Sequence, residues 1–110
     1  MARFTHLPIY KKSFALLVII EDIVLSMERR SRFTIGADLR NNFRAFVVLI
    51  TKSNSIRDNA LRIGSIDMMF ELINEVFILL SVMKELKLFN KSNQYEQILE
   101  QVYDIERQME

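Results

Sequence analysis

Cysteine is absent from this chain, which excludes disulfides and thiolate metal sites and fits a reducing compartment. Proline occurs once and glycine twice. That is too little turn chemistry for a many-stranded β fold, so a few long helices joined by short loops are expected. The single histidine, His6, has no cysteine or second histidine to complete a metal site and reads as a solvated or capping residue. No Glu-x-x-His pair is present, so a carboxylate-bridged metal bundle lacks its ligands. P-loop, G-x-G-x-x-G and nucleophile-elbow patterns are missing too, and a non-enzymatic protein without cofactor is expected. The longest apolar runs, Phe14 to Ile20 and Ala45 to Ile50, fall far short of the ~20 residues of a membrane-spanning helix. With no apolar signal segment near the start, the expectation is a soluble cytoplasmic protein that does not contact membrane.

What the chain does have is apolar helical pattern. Its 110 residues, half of them apolar, suit one domain over residues 1–110. Asp58 to Lys87 is proline-free, and Ile63, Ile66, Phe70, Ile73, Phe77 and Leu80 recur at alternating three- and four-residue steps, the period of one helical face. Met69, Val76 and Met83 widen that seam on one side. Ile9, Tyr10, Phe14, Leu17, Ile20, Val24 and Met27 mark an earlier helix that starts at Pro8, where a missing N–H is tolerated. Leu39, Phe43, Phe46, Val47 and Ile50 mark another, with Thr34 as its expected N-cap. Tyr95, Ile98, Val102, Ile105 and Met109 form a narrow seam on the last. Ser55 to Asp58 reads as a capping box opening the third helix. The predicted helices span about residues 8–28, 35–52, 57–88 and 93–109. Their short connections predict an all-α, up-down-up-down antiparallel four-helix bundle. The first and third helices carry more apolar surface than one such core needs, which predicts a homo-oligomer.

Charge is segregated along the chain. Residues 1–62 hold eleven Lys/Arg against five Asp/Glu, and residues 63–110 hold four against nine. Arg29, Arg30 and Arg32 crowd a break in the helical pattern; Arg40 and Arg44 lie one turn apart on the second helix, and Lys52 near its end. The planar guanidinium fork matches phosphate, and each neutralised phosphate adds counterion release, so these six residues are the candidate nucleic-acid contacts. The acidic surface of a neighbouring subunit, at Glu96, Glu100 or Asp104, is the other candidate partner. Phe33 and Tyr95, the aromatics nearest in kind to base-stacking residues, are read as core. Glu21, Asp22, Glu71 and Glu75 are read as solvated.

Leu7-Pro8-Ile9-Tyr10, Arg29-Arg30-Ser31-Arg32-Phe33-Thr34-Ile35-Gly36-Ala37-Asp38-Leu39-Arg40, Asn93-Gln94-Tyr95-Glu96-Gln97-Ile98 and Asp104-Ile105-Glu106-Arg107 follow one another in a familiar order. Taken together, the chain resembles the four-helix-bundle family of ribosomal RNA intervening-sequence proteins and accessory variability determinant (Avd) proteins of diversity-generating retroelements. The segment from Arg32 to Arg40 is the distinctive part. Intervening-sequence proteins usually end the second helix with an Asn-Ile-Ala-Glu-Gly-like segment, where this chain has Leu49-Ile50-Thr51-Lys52-Ser53-Asn54, so the likeness is nearer to Avd. Resemblance to Avd implies a pentameric, non-enzymatic scaffold. It would bind structured RNA and the element's reverse transcriptase and support mutagenic retrohoming. The alternative is a structural or protein-interaction bundle of the intervening-sequence type, without direct nucleic-acid binding.

Overall fold

The described residues form four long helices and one single-turn helix: α1 (Pro8–Ser26), α2 (Arg29–Arg32), α3 (Ile35–Ser55), α4 (Asn59–Glu85) and α5 (Gln94–Met109). The structure, a computed structural model, describes residues 7–91 and 93–109, and no strand occurs among them. His6, expected to be solvated or capping, lies outside the described residues. None of the described helices is long and apolar enough to cross a membrane.

Local chemistry explains where the helices begin and end. Pro8 occupies the first turn of α1, where its missing N–H leaves no donor unsatisfied. Asp58 caps α4, its carboxylate accepting from the Leu61 N–H at 3.0 Å. The capping box expected over Ser55 to Asp58 does not form. Ser55 is instead the last residue of α3, and its hydroxyl donates back to the Thr51 and Lys52 carbonyls at 3.3 and 3.0 Å. Thr34 does occupy the N-cap position of α3, yet its hydroxyl donates to the Arg30 carbonyl at 2.8 Å rather than accepting from the helix. The segment around Arg29, expected to break the helical pattern, closes one turn of its own, with the Phe33 N–H bonded to the Arg29 carbonyl at 3.2 Å.

α4 stops at Glu85 rather than near Leu88 because the chain turns over in a Schellman motif. The Leu88 N–H reaches the Met83 carbonyl and the Lys87 N–H reaches the Lys84 carbonyl, each at 3.0 Å. Lys87 takes the left-handed conformation this requires, with φ at 58°. Asn90, just beyond, donates from Nδ2 to the Ser26 hydroxyl at 3.2 Å and so ties the α4–α5 connection to the end of α1.

α1 packs against α3 and α5, and α4 packs against the same two helices, while α2 touches α1 and α3. At 1.5 Å per residue the 27 residues of α4 measure about 40 Å, which accounts for the molecule's 43 Å long axis. The core is a stack of apolar layers: Leu16, Ile20 and Val24 from α1, Leu39, Phe43, Phe46 and Ile50 from α3, Ile73, Val76, Leu80 and Met83 from α4, and Ile98, Val102 and Ile105 from α5. Phe43 and Phe46 are fully buried and stack on each other with centroids 5.5 Å apart. Burying each such ring stabilises the fold by roughly 1.5–3 kcal/mol relative to leaving it exposed.

Two of the four expected seams hold and two are rotated. In α3 the whole expected set, Leu39, Phe43, Phe46, Val47 and Ile50, is buried, and so are Ile98, Val102 and Ile105 in α5. In α4 the buried line is Ser65, Met69, Ile73, Val76, Leu80 and Met83, so the flank expected at Met69, Val76 and Met83 faces inward and the centre of the line lies roughly 75° from that of the Ile63-to-Leu80 seam at ~100° per residue. Ile63, expected inside, is 60% exposed. In α1 Ser13 is buried and Phe14, expected in the seam, is 49% exposed.

Gly36 fixes how α3 starts. A β-carbon there would lie 3.0 Å from the Ser31 carbonyl oxygen and 3.1 Å from Val24. The bare backbone at this position lets α3 leave α2 while pressed against the last turn of α1.

Candidate nucleic-acid interface

The six candidate residues fall into three places. Arg29 and Arg32 converge on Phe33, which closes α2. Their guanidinium carbons lie 5.9 and 5.5 Å from the centre of its ring, within the reach of a cation–π contact. Arg32 is held from behind, its Nη1 pointing to the Leu25 carbonyl at 3.5 Å, and its Nε is buried without a hydrogen-bond partner. Arg30, on the same turn, is exposed and lies at the edge of a groove between this corner and the end of α4. That groove, about 590 Å³, is lined by the apolar Ile35, Leu79, Val82, Leu86 and Leu88 and by Glu28 and Asp38 as well as Arg30. Glu28 is the carboxylate nearest in sequence to the three arginines, and it accepts from the Ser31 hydroxyl at 3.3 Å.

Arg40 and Arg44 do project together, as their spacing requires, but onto a carboxylate of the neighbouring helix. Glu21 of α1 receives Arg44 through Nη2 at 2.6 Å and Nε at 3.1 Å, both on Oε2, and its Oε1 lies 3.6 Å from Arg40 Nε. Two guanidinium charges on one carboxylate leave the cluster with one net positive charge. Arg44 keeps about half of its side chain exposed and Arg40 a quarter. Lys52, exposed, lies about 12 Å further along α3 than Arg44 and is turned away from it by roughly 80°. It joins neither group.

Sequence reasoning missed two members of this surface. Phe33, read as core, is 65% exposed; its place directly after three arginines, off the apolar period, was the available signal. Glu21, read as solvated, neutralises part of the basic face, and no local signal announces a partner more than five helical turns away in sequence. Tyr95, the other aromatic read as core, is half-buried and packed against the core, with Phe89 5.8 Å away and Lys84 Nζ 4.7 Å from its ring centre. Glu75 is exposed and accepts from Asn42 at 2.7 Å. On the acidic side, Asp104 pairs with Lys12 at 3.2 Å and with Arg107 one turn on. Among the described residues no histidine, aspartate and glutamate side chains gather closely enough to hold a metal ion.

The arrangement brings together exposed Arg29 and Arg30, half-buried Arg32, an exposed ring near two of them, and exposed apolar side chains on the helices. Comparison with known proteins adds nothing to it, because no family model, no curated protein and no solved structure matches the chain.

Proposed function

We propose that the chain is a non-enzymatic accessory protein of a diversity-generating retroelement. In this reading it is a cytoplasmic scaffold that gathers copies of itself, by the resemblance five, and binds structured RNA and the element's reverse transcriptase. Its helices would run up-down-up-down, and the surplus apolar faces of α1 and α4 would join the copies. Phe14, Val18 and Leu25 on α1 and Met68, Ile78 and Val82 on α4 are each 40% exposed or more, a quantity of open apolar surface that usually marks an interface. The observation that carries the RNA reading is the turn that presents exposed Arg29 and Arg30 beside half-buried Arg32 and the exposed ring of Phe33.

The test is fluorescence anisotropy of a labelled RNA hairpin over a range of salt. Binding should weaken steeply with salt, and an Arg29→Gln/Arg30→Gln/Arg32→Gln variant should lower the slope of log affinity against log salt by roughly 0.7–0.9 for each phosphate that is no longer neutralised. Salt-independent binding, or no binding by the unaltered protein, would defeat the reading.

A second reading has its own observation. Glu21 already occupies Arg40 and Arg44, and Asp104 already occupies Lys12 and Arg107. A pure protein-interaction bundle would keep its opposite charges balanced within the chain in this way. It predicts sedimentation as an oligomer that RNA does not alter.

A further inference from the structure

We infer that Phe33 is a stacking platform for an unpaired nucleobase, so that the arginine turn takes single-stranded rather than double-helical nucleic acid; this rests on the nucleic-acid reading proposed above. Phe33 is 65% exposed, among the most open of the large apolar side chains described. Other exposed rings have aromatic neighbours: Phe14 stacks with Tyr10 at 5.9 Å and Tyr103 packs on Phe77 at 4.8 Å. The guanidinium carbons of Arg29 and Arg32 lie over the Phe33 ring instead, 5.9 and 5.5 Å from its centre. Both lie near the outer end of the ~6 Å range of such contacts, and a ring this exposed still has open surface.

The backbone beneath the ring is fixed. Its N–H is bonded to the Arg29 carbonyl at 3.2 Å, and the next residue is tied to the Arg30 carbonyl through the Thr34 hydroxyl at 2.8 Å. An exposed ring with guanidinium groups close by offers what a nucleotide with a free base needs, stacking for the base and charged donors for its phosphates. In a duplex each base face is already taken by its neighbours, so the ring has nothing to engage. The nearby arginines would still meet the backbone, but without the added stacking.

The experiment compares the full chain with Phe33→Leu and Phe33→Trp, using labelled oligo-uridylate and a labelled RNA hairpin stem as probes. Phe33→Leu keeps an apolar side chain and removes the π-face; Phe33→Trp enlarges the face. The leucine variant should bind oligo-uridylate about 5- to 100-fold more weakly, with its salt slope and its hairpin affinity unchanged. The tryptophan variant should match or exceed the original. Equal oligo-uridylate binding by the leucine variant and the original, with steep salt dependence retained, would remove the stacking role while leaving the arginine turn as a phosphate site. Binding of neither probe by the original protein would remove both. A leucine variant that sediments as a smaller species, with RNA binding intact, would assign Phe33 to a protein contact and overturn the inference.

Discussion

Two serine-to-alanine changes in this protein should shift stability in opposite directions. Ser13 is completely buried in α1, and its hydroxyl has no hydrogen-bond partner. A buried polar group left unsatisfied costs roughly 1–3 kcal/mol, and alanine is the better helix former by up to ~0.7 kcal/mol. Against these gains stands only the loss of one oxygen's packing. Ser13→Ala should therefore stabilise the fold by about 1–2 kcal/mol. Ser53 is the opposite case, because its hydroxyl meets that of Ser65 at 2.6 Å and points to Met69 Sδ at 3.5 Å. Ser53→Ala strands the Ser65 hydroxyl, which is only 8% exposed, and should cost about 1–2 kcal/mol. The double change Ser53→Ala/Ser65→Ala should recover part of that loss, since neither hydroxyl is then left alone. Urea unfolding followed by far-UV circular dichroism, at one fixed protein concentration because self-association would move the midpoint, reads all three. The midpoint should rise for Ser13→Ala and fall for Ser53→Ala with the slope unchanged. A lower midpoint for Ser13→Ala would show that its hydroxyl is bonded, and the packing argument for that layer would fail.

The two glycines should also part company. Gly36→Ala drives a β-carbon to 3.0 Å from the Ser31 carbonyl oxygen, a backbone atom, and should destabilise by about 1–3 kcal/mol; Gly64→Ala, with nothing within 4 Å of the new carbon, should stabilise by about 0.5–1 kcal/mol. Thermal midpoints of the pair check both signs. Lys87→Gly relieves a side chain held at φ 58° and should stabilise by about 1 kcal/mol; an unchanged or lowered urea midpoint would count against the Schellman turn. Glu21→Gln should lower stability by less than ~1 kcal/mol, because the pairs it breaks are partly open to solvent. It should also steepen the salt dependence of RNA binding by freeing Arg40 and Arg44, and a slope that stays the same would separate these two arginines from the RNA surface.

How far the fold could be read from residues alone depended on how one-sided each helix is. α3 and α5 alternate apolar and charged residues so clearly that Leu39 to Ile50 and Ile98 to Ile105 could face only inward. α1 and α4 are apolar around most of their circumference, so many faces satisfy the helical period nearly equally well. Tertiary packing then decided, drawing Met69 and Met83 inward and leaving Ile63 and Ile78 out. Helix ends turned on single hydrogen bonds: Asp58 serves as a cap, but Ser55 bonds backwards along its own helix. The arginine-rich turn was legible as a cluster. Its exposed aromatic centre was not, because a phenylalanine beside a helical run is more often inside than out.

α1 and α4 are both packed on α3 and α5, and their backbones do not approach one another closely among the described residues. They are therefore diagonal neighbours, and the exposed apolar side chains each carries belong to different sides of the bundle. If copies joined through one such side meeting its own counterpart, a two-fold pair would result; if they joined side to unlike side, the same rotation would recur at every step, and its size alone would decide between a ring of fixed membership and an open filament.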